Sequence, residues 1–305
     1  MRRGSKKKDQ FEALGRSEEK AQQLGVRFKR SVACQAVEVS RQGSYKHESR
    51  KTDLEERDKF ILEQVDKIRD ILKRLGVRKI LYMIQDTLKA KGYKIGRDQL
   101  YDLLRRNHRQ APKGRPYRST TNSKHKLQVY PNLLPDITID HPNQVLVSDI
   151  TYLVTQEGFC YLALTTDAFS RKIVGYNLSH RMKTELPLQA LKNACDKFDV
   201  PPGFIHHSDK GSQYCSKEFT EYLTSKGATI SMTGPNHCFD NALAERVNGI
   251  LKTEFGLGKV IKDFKTALKL VKDSIDLYNS FRPHLSLKYK TPDAVYFGAL
   301  TSDAA

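Results

Sequence analysis

Three carboxylates carry the chemistry open to this sequence. Asp149 interrupts the apolar run VLVSDITYLV, Asp209 lies in HHSDKGSQY, and Glu245 lies in DNALAERVNGILKTE. Each has a plain reading by itself: an acid on the wet face of a strand, a turn acid before Gly211, a solvated helix glutamate. A carboxylate in a strand that otherwise favours burial is nevertheless costly unless it is paired or bound to a metal. Glu245 faces Gly249 at i+4 and so lacks the usual helical ion-pair partner. If the fold brings the three together, each pair at about 4 Å repels by about 4 kcal/mol at an effective dielectric near 20. Divalent cations relieve such repulsion, and a donor set made only of oxygens selects hard ions such as Mg²⁺. Two such ions about 3.5–4 Å apart stabilise the attacking and leaving oxygens of an in-line phosphoryl transfer.

The elements around these acids decide whether they can meet. An apolar strand is expected over 145–154, then a hairpin turn at Gln156-Glu157-Gly158, a strand over 159–166, a turn over 167–171 and a third strand over 173–178. A helix over 184–198 stops at Pro201-Pro202-Gly203. A strand over 204–207, a helix over 217–226 and a strand over 228–232 follow. After a loop rich in Gly, Pro and Asn, a helix starts near Asp240, which reads as its N-cap, and runs past Lys252. The order βββαβαβα is that of a mixed sheet with helices on its faces. It allows the Asp149 and Asp209 strands to lie side by side, with the Glu245 helix packed on them. Asp167 reads as a hairpin-turn acid. His206, His207, Cys215, His237 and Cys238 match no zinc-finger spacing and read as packing residues. Lys252 follows Glu245 by seven residues, within about 20° of two full turns, and so shares its helix face about 10 Å further on.

The segments SDITY, HSDKGSQY and DNALAERVNGILKTE together resemble the DDE catalytic core of insertion-sequence transposases. They are most similar to the second-frame (OrfB) product of the large bacterial group whose core is similar to retroviral integrase. Between Asp209 and Glu245 lie 35 residues, the spacing of that family's D,D(35)E signature, and 59 lie between Asp149 and Asp209. The closing YNSFRPHLSLKYKTPDAVY and the helical stretches 31–46 and 53–107 are also similar, so the resemblance covers nearly the whole chain. It departs at Leu146, where the family usually has Trp.

The resemblance implies an RNase H-like core and metal-dependent cleavage at the ends of a mobile element, followed by joining of the freed 3′-hydroxyl to DNA. Asp149, Asp209 and Glu245 are then the catalytic residues and the ligands of two Mg²⁺ ions, for which Mn²⁺ can substitute. Lys252 then contacts DNA beside the reacting phosphate, and Asn241 holds the loop or the DNA. The implied partners are double-stranded DNA (terminal inverted repeats and target), further copies of the chain on that DNA, and the upstream-frame OrfA product, free or as a frameshift fusion. The implied setting is the bacterial cytoplasm, at the nucleoid.

Charge supports a polyanion partner. The 305 residues carry a net +18, and the excess is confined to residues 1–135, with 34 Lys and Arg against 16 Asp and Glu. Residues 136–305 carry 19 of each. Residues 1–30 are basic and expected to be flexible, and 31–108 form a helical DNA-binding region. Within it, 31–46 reads as two short helices around Ser40, and 53–75 as a longer one. The pair at 77–92 and 97–107 resembles a helix-turn-helix, with Arg105 and Arg106 near its C-terminus as DNA contacts. Residues 109–143 are a basic linker, 144–256 the catalytic core, and 257–305 a C-terminal helix and closing segment, in which Arg282-Pro283-His284 straps the C-terminus to the core. The fold class is α/β, preceded by a small all-α region. No run approaches eighteen apolar residues, which excludes an ordinary membrane span. Five cysteines without CxxC suggest reduced thiols. The rival readings are a DNA-binding regulator or assembly partner with an inactive core, and a stand-alone nuclease. The presence of all three acids and Lys252 argues against the first, and the basic helical half against the second.

Overall fold

The apolar run around Asp149 forms β1 (Val145–Thr155) in the computed structural model, which describes residues 3–111, 127–198, 200–234 and 241–302. A tight turn leads into β2 (Gly158–Asp167), with Gly158 at φ 123°, and Thr155 Oγ1 bonded both to the Glu157 N–H and to the Gly158 carbonyl. With β3 (Ile173–Ser179) these strands make an antiparallel meander. The next two strands, β4 (Ile205–Ser208) and β5 (Thr229–Met232), add parallel to the other side of β1. The five-stranded sheet is ordered β3-β2-β1-β4-β5, the mixed RNase H-like arrangement.

Helices cover both faces. Leu188, Leu191 and Ala194 of α6 (Glu185–Phe198) and Phe219 and Leu223 of α7 (Lys217–Ser225) share one core with Leu146, Val174 and Ile230. Leu146, at the expected tryptophan position, is fully buried there. On the other face α8 (Ala242–Glu254) and α9 (Phe264–Ser280) bury Val247, Ile250, Leu251, Val271 and Ile275 against Leu153, Leu162 and Leu164. The strand alternation therefore turns Leu153 toward α8, and Asp149, four residues earlier, with it. Asp167 closes the β2–β3 turn as expected, accepting from the backbone N–H groups of Asn143 and Ser170, both at 2.8 Å.

The chain divides into two compact units, Met1–Lys67 with Ile84–His108, and Ile68–Met83 with Arg109–Ala305. The first holds α1 (Arg3–Gln23), α2 (Arg30–Ala36), most of α3 (Arg41–Ile71), the second half of α4 (Val77–Ala90) and α5 (Arg97–Arg106). Two expectations are corrected there. Residues 3–23 are helical rather than loose, because α1 buries Leu14, stacks Phe11 on His47 at 4.5 Å and offers Glu18 to Arg30. The short helix after Ser40 and the longer helix expected from 53 are one helix, since residues 46–53 contain neither glycine nor proline to stop it. Ser40 does cap it, its Oγ accepting from the Gly43 N–H at 3.0 Å.

A boundary also moves. Residues 68–83 belong with the catalytic unit, where Lys79 pairs with Glu254 at 3.5 Å and Tyr82 stacks on Tyr289 at 4.8 Å. Of the expected linker, 112–126 lies outside the described residues. Its far end runs beside β5, with the Pro131 carbonyl accepting from the Met232 N–H. The C-terminal helix α10 (Pro292–Ser302), which the sequence reading did not single out, packs Tyr296 into the core. No helix of the described residues is long and apolar enough to cross a membrane.

The approach of α6 to the sheet depends on Gly175. A Cβ at that position would lie 2.8 Å from Ala194 Cβ and closer still to the Ala190 carbonyl oxygen. Gly175→Ala is expected to cost about 1–3 kcal/mol, read as a lowered urea midpoint at unchanged m. A wild-type midpoint would show that α6 does not press on β3.

Candidate active site

The register of the parallel pair builds the site. Val145 pairs with Ile205, Leu146 with His206 and Val147 with His207. Carried two residues past the last paired position, the same register sets Asp149 opposite Asp209, across a strand spacing of about 4.8 Å. There β4 has ended, and Asp209 turns the chain, its Oδ1 accepting from the Gly211 N–H at 2.9 Å. Glu245 sits in the first turn of α8, exposed.

Asp149 is held at both oxygens. Its Oδ1 accepts from the Ile150 N–H at 2.9 Å, and its Oδ2 from Asn248 Nδ2 at 2.7 Å. Burial pushes its carboxyl up to about 7, and the charges of Asp209 and Glu245 add to the rise, against the pull of those two hydrogen bonds. Burial and then the Asp209 charge raise Glu245 as well. All three acids therefore lie within each other's electrostatic reach, the condition the sequence pattern requires. Among the described residues no group of three His, Cys, Asp or Glu is already assembled to hold a metal ion. The residues fit a hard divalent ion nonetheless: the donors are all oxygens, and their mutual repulsion is the strain that a bound cation would relieve.

Lys252 lies on the Glu245 face of α8 as its spacing demands. It is half-buried, with Nζ 4.2 Å from the centre of the Tyr152 ring. Burial lowers its ammonium to about 8, while the charge of Asp149 works the other way. Asn241, expected to hold the loop or the DNA, makes a tie within the protein. It is 4% exposed, and its Nδ2 donates to the Ser148 carbonyl at 3.2 Å, which moors the start of α8 to β1 beside Asp149. Asp240, His237 and Cys238 lie outside the described residues.

Asn248 was missed by the sequence reading. It is 3% exposed and positions the Asp149 carboxylate. The signal was present, since residues 245, 248 and 252 follow the i, i+3, i+7 pattern of one helix face. The ring of Tyr214 is likewise buried near Asp149 and Asp209, where burial and their charges raise its hydroxyl far above the ordinary value.

His206 and His207 are members of the sheet core, both fully buried. His206 Nε2 meets Ser148 Oγ at 2.9 Å, and burial lowers the ring to about 3. His207 Nδ1 meets Ser231 Oγ at 2.8 Å. Cys215 packs against Met232. In the closing segment, Arg282 makes two hydrogen bonds to Glu254, at 2.6 and 2.7 Å, and one to His284 at 3.0 Å. That is the strap expected of Arg282-Pro283-His284, and it grips the last residue of α8. In the helical unit, Arg105 pairs with Asp102 at 3.0 Å and Arg106 bonds to the Asp102 carbonyl.

Comparison with known proteins agrees with this architecture. An Integrase core domain model matches residues 139–238, and a second Integrase core domain model matches 226–292, so the two spans hold all three carboxylates. Over 268 residues the chain is 36% identical to the 31 kDa protein of insertion element IS600 from Shigella sonnei, covering 86% of this chain and 96% of that protein. It is 32% identical over 228 residues to transposase InsF for insertion sequence IS3A of Escherichia coli strain K12, covering 74% and 79%. The chain belongs to the insertion-sequence transposases with an integrase-like core. Among solved structures, the HTLV-2 integrase catalytic core domain in complex with magnesium is similar at 19% identity and a TM-score of 0.42, over 51% of this transposase-family chain and 97% of that one.

Asp149 gives a pH test of the site. The folded chain keeps its proton up to about pH 7, whereas an unfolded aspartate releases it near 4. Stability from this group is therefore full below about pH 4 and is lost as the pH rises through 7. In EDTA, Asp149→Asn is expected to be more stable than wild type at pH 8 by about 1–3 kcal/mol, and equal to it near pH 4. Chemical denaturation at the two pH values measures this. Equal stability at pH 8 would mean that neither burial nor the neighbouring carboxylates strain the charged Asp149.

Proposed function

We propose that the chain is a DNA transposase that cuts at the ends of its element and joins the freed ends to target DNA, with Asp149, Asp209 and Glu245 as its catalytic residues. The observation that carries this reading is the parallel register of β1 and β4, which aims two carboxylates at one point beside the Glu245 turn of α8. Two Mg²⁺ ions, or Mn²⁺ in their place, would be held by these three residues and would supply Lewis-acid stabilisation of the phosphoryl transfer.

The protein's part is to position. Asn248 fixes the Asp149 carboxylate, and Asn241 and Arg282 hold the two ends of α8, so that Glu245 meets the strand acids in one geometry. In cleavage, a water oxygen bonds to the terminal phosphorus and the bond to the 3′-oxygen breaks, leaving a 3′-hydroxyl. In joining, that oxygen bonds to a target phosphorus and displaces a target 3′-oxygen, which takes up a proton. Lys252 contributes a compact cation for a phosphate next to the reacting one. In the helical unit, Arg105 and Arg106 contact backbone phosphates from a cleft of about 440 Å³ that they share with Arg57 and with the acids Asp58 and Asp102. The DNA partners are the element's terminal repeats and the target. The active form is a multimer on DNA, alone or with the OrfA product, in the bacterial cytoplasm at the nucleoid.

Strand transfer on the element's own ends tests the reading. Asp209→Asn and Glu245→Gln are each expected to slow it by at least about 100-fold in Mg²⁺ while leaving DNA binding intact. Near-wild-type transfer by either variant would sink the three-carboxylate site. Lys252→Ala is expected to act differently, raising the DNA concentration needed for half-maximal rate about tenfold and leaving the metal-induced rise in melting temperature unchanged. If this variant is wild type at subsaturating DNA, Lys252 does not touch the substrate.

A further inference from the structure

The helical unit contains a tighter helical pair than the one the sequence suggests. Its first member, α2, has seven residues, a four-residue turn follows over 37–40, and α3 begins at Arg41. A turn of three or four residues is the helix-turn-helix spacing. By contrast, α4 and α5 are joined by six residues. The short turn is fixed by its own hydrogen bonds. The N–H groups of Val37, Glu38 and Val39 bond back to the Ala33, Gln35 and Cys34 carbonyls, and Ser40 caps α3 through the Gly43 N–H. Glu38 takes the left-handed conformation, φ 53°, that such turns usually give to glycine.

A third helix braces the pair. Phe11 of α1 stacks on His47, Leu14 and Cys34 are buried, and Arg30 pairs with both Glu18 and Glu48, joining α1, α2 and α3. Gly43 leaves room for this, because a Cβ there would come within 3.6 Å of Phe11 and 2.8 Å of Ser40 Oγ.

Of the outward half of the first turns of α3, only Tyr45 shares in these tasks, its ring lying 4.8 Å from the Arg30 guanidinium. Arg41, Gln42, Tyr45, Lys46, Ser49 and Arg50 are all exposed, and at 100° per residue they fall within one half of the helix. They carry three cations and no carboxylate. On α5, Arg97 and Arg105 are each paired with an acid, Asp98 and Asp102, and Arg106 bonds to the Asp102 carbonyl. Arginine and glutamine side by side at the start of a second helix are the residue types that pair with guanine and adenine edges in the major groove.

We propose that residues 30–50 form a helix-turn-helix whose second helix, the first turns of α3, reads the base sequence of double-stranded DNA at the element's ends through Arg41, Gln42 and Lys46. This rests on the reading of the chain as a DNA transposase. Within that reading it divides the labour of the helical unit: α3 discriminates sequence, and the Arg57, Arg105 and Arg106 cleft holds backbone.

The test compares binding of the full-length protein to a duplex of the element's end and to a scrambled duplex of equal length and composition, by fluorescence anisotropy at fixed salt. The double variant Arg41→Ala/Gln42→Ala is expected to lose about tenfold or more of the preference for the element's end, with at most about a threefold loss on the scrambled duplex. Arg105→Ala/Arg106→Ala is expected to weaken both duplexes alike. All four positions are exposed, and circular dichroism melting checks that the variants fold. An Arg41/Gln42 variant that keeps the wild-type preference, or that weakens both duplexes equally, overturns the proposal, as does a wild type without preference. Strand transfer by the wild type is measured on the same ends. Transfer with an unchanged preference in the variant sinks only the reading helix, whereas no Mg²⁺-dependent transfer at all sinks the transposase reading.

Discussion

Two like charges set side by side on neighbouring strands are the constraint around which this molecule is arranged. Asp149 and Asp209 face each other only because β4 lies parallel to β1 in one register, and a slip of one residue would turn either side chain to the opposite face of the sheet. A row of buried polar groups guards that register. Thr165 on β2 meets Ser148 on β1 at 3.2 Å, and Ser148 meets His206 on β4. On β4 and β5, His207 and Ser231 make a second such link, and Ser231 also accepts from the Leu133 N–H. Groups of this kind are expensive to bury without partners, so a shifted pairing would forfeit several of them at once.

The helix that brings the third carboxylate is secured at three levels. Asn241 ties its start to β1, Asn248 ties its middle to Asp149, and Glu254 ties its end to Arg282 and Lys79. Arg282 is 1% exposed, and the neighbouring His284 is held neutral, its ring lowered to about 3 by burial and by the Arg282 charge. Glu254 keeps its charge, since its cationic partners draw its carboxyl below the ordinary value despite burial. A buried ion pair of this sort adds little net stability over a hydrophobic replacement, but breaking one side of it is costly. What it contributes here is a fixed direction for α8.

Much of this was legible in the sequence because it is written in local periodicity. The strands from 145 to 179 and the helices at 184–198 and 217–226 stand within one or two residues of their expected places, since alternating or helical apolar patterns match the two faces of one sheet. The carboxylates were legible because acids stand out in apolar runs and their spacing is distinctive. The first thirty residues were not, because α1 is held by a few specific contacts, an aromatic stack and a shared arginine, rather than by an apolar stripe. Asn248 and Asn241 escaped notice for a related reason. An asparagine in a helix reads the same whether it meets water or a carboxylate, and only the three-dimensional partner distinguishes the two.

The placement of residues 68–83 against the catalytic unit has a consequence for the order in which the molecule is made. Lys79 and Tyr82 leave the ribosome long before Glu254, Arg282 and Tyr289, the residues they meet. At about 5–20 residues per second, Glu254 is synthesised roughly ten to thirty seconds after this stretch. During that interval Lys79 and Tyr82 lack the carboxylate and the ring that hold them in the finished unit. The catalytic unit is therefore begun within the first hundred residues and finished only by the last fifty.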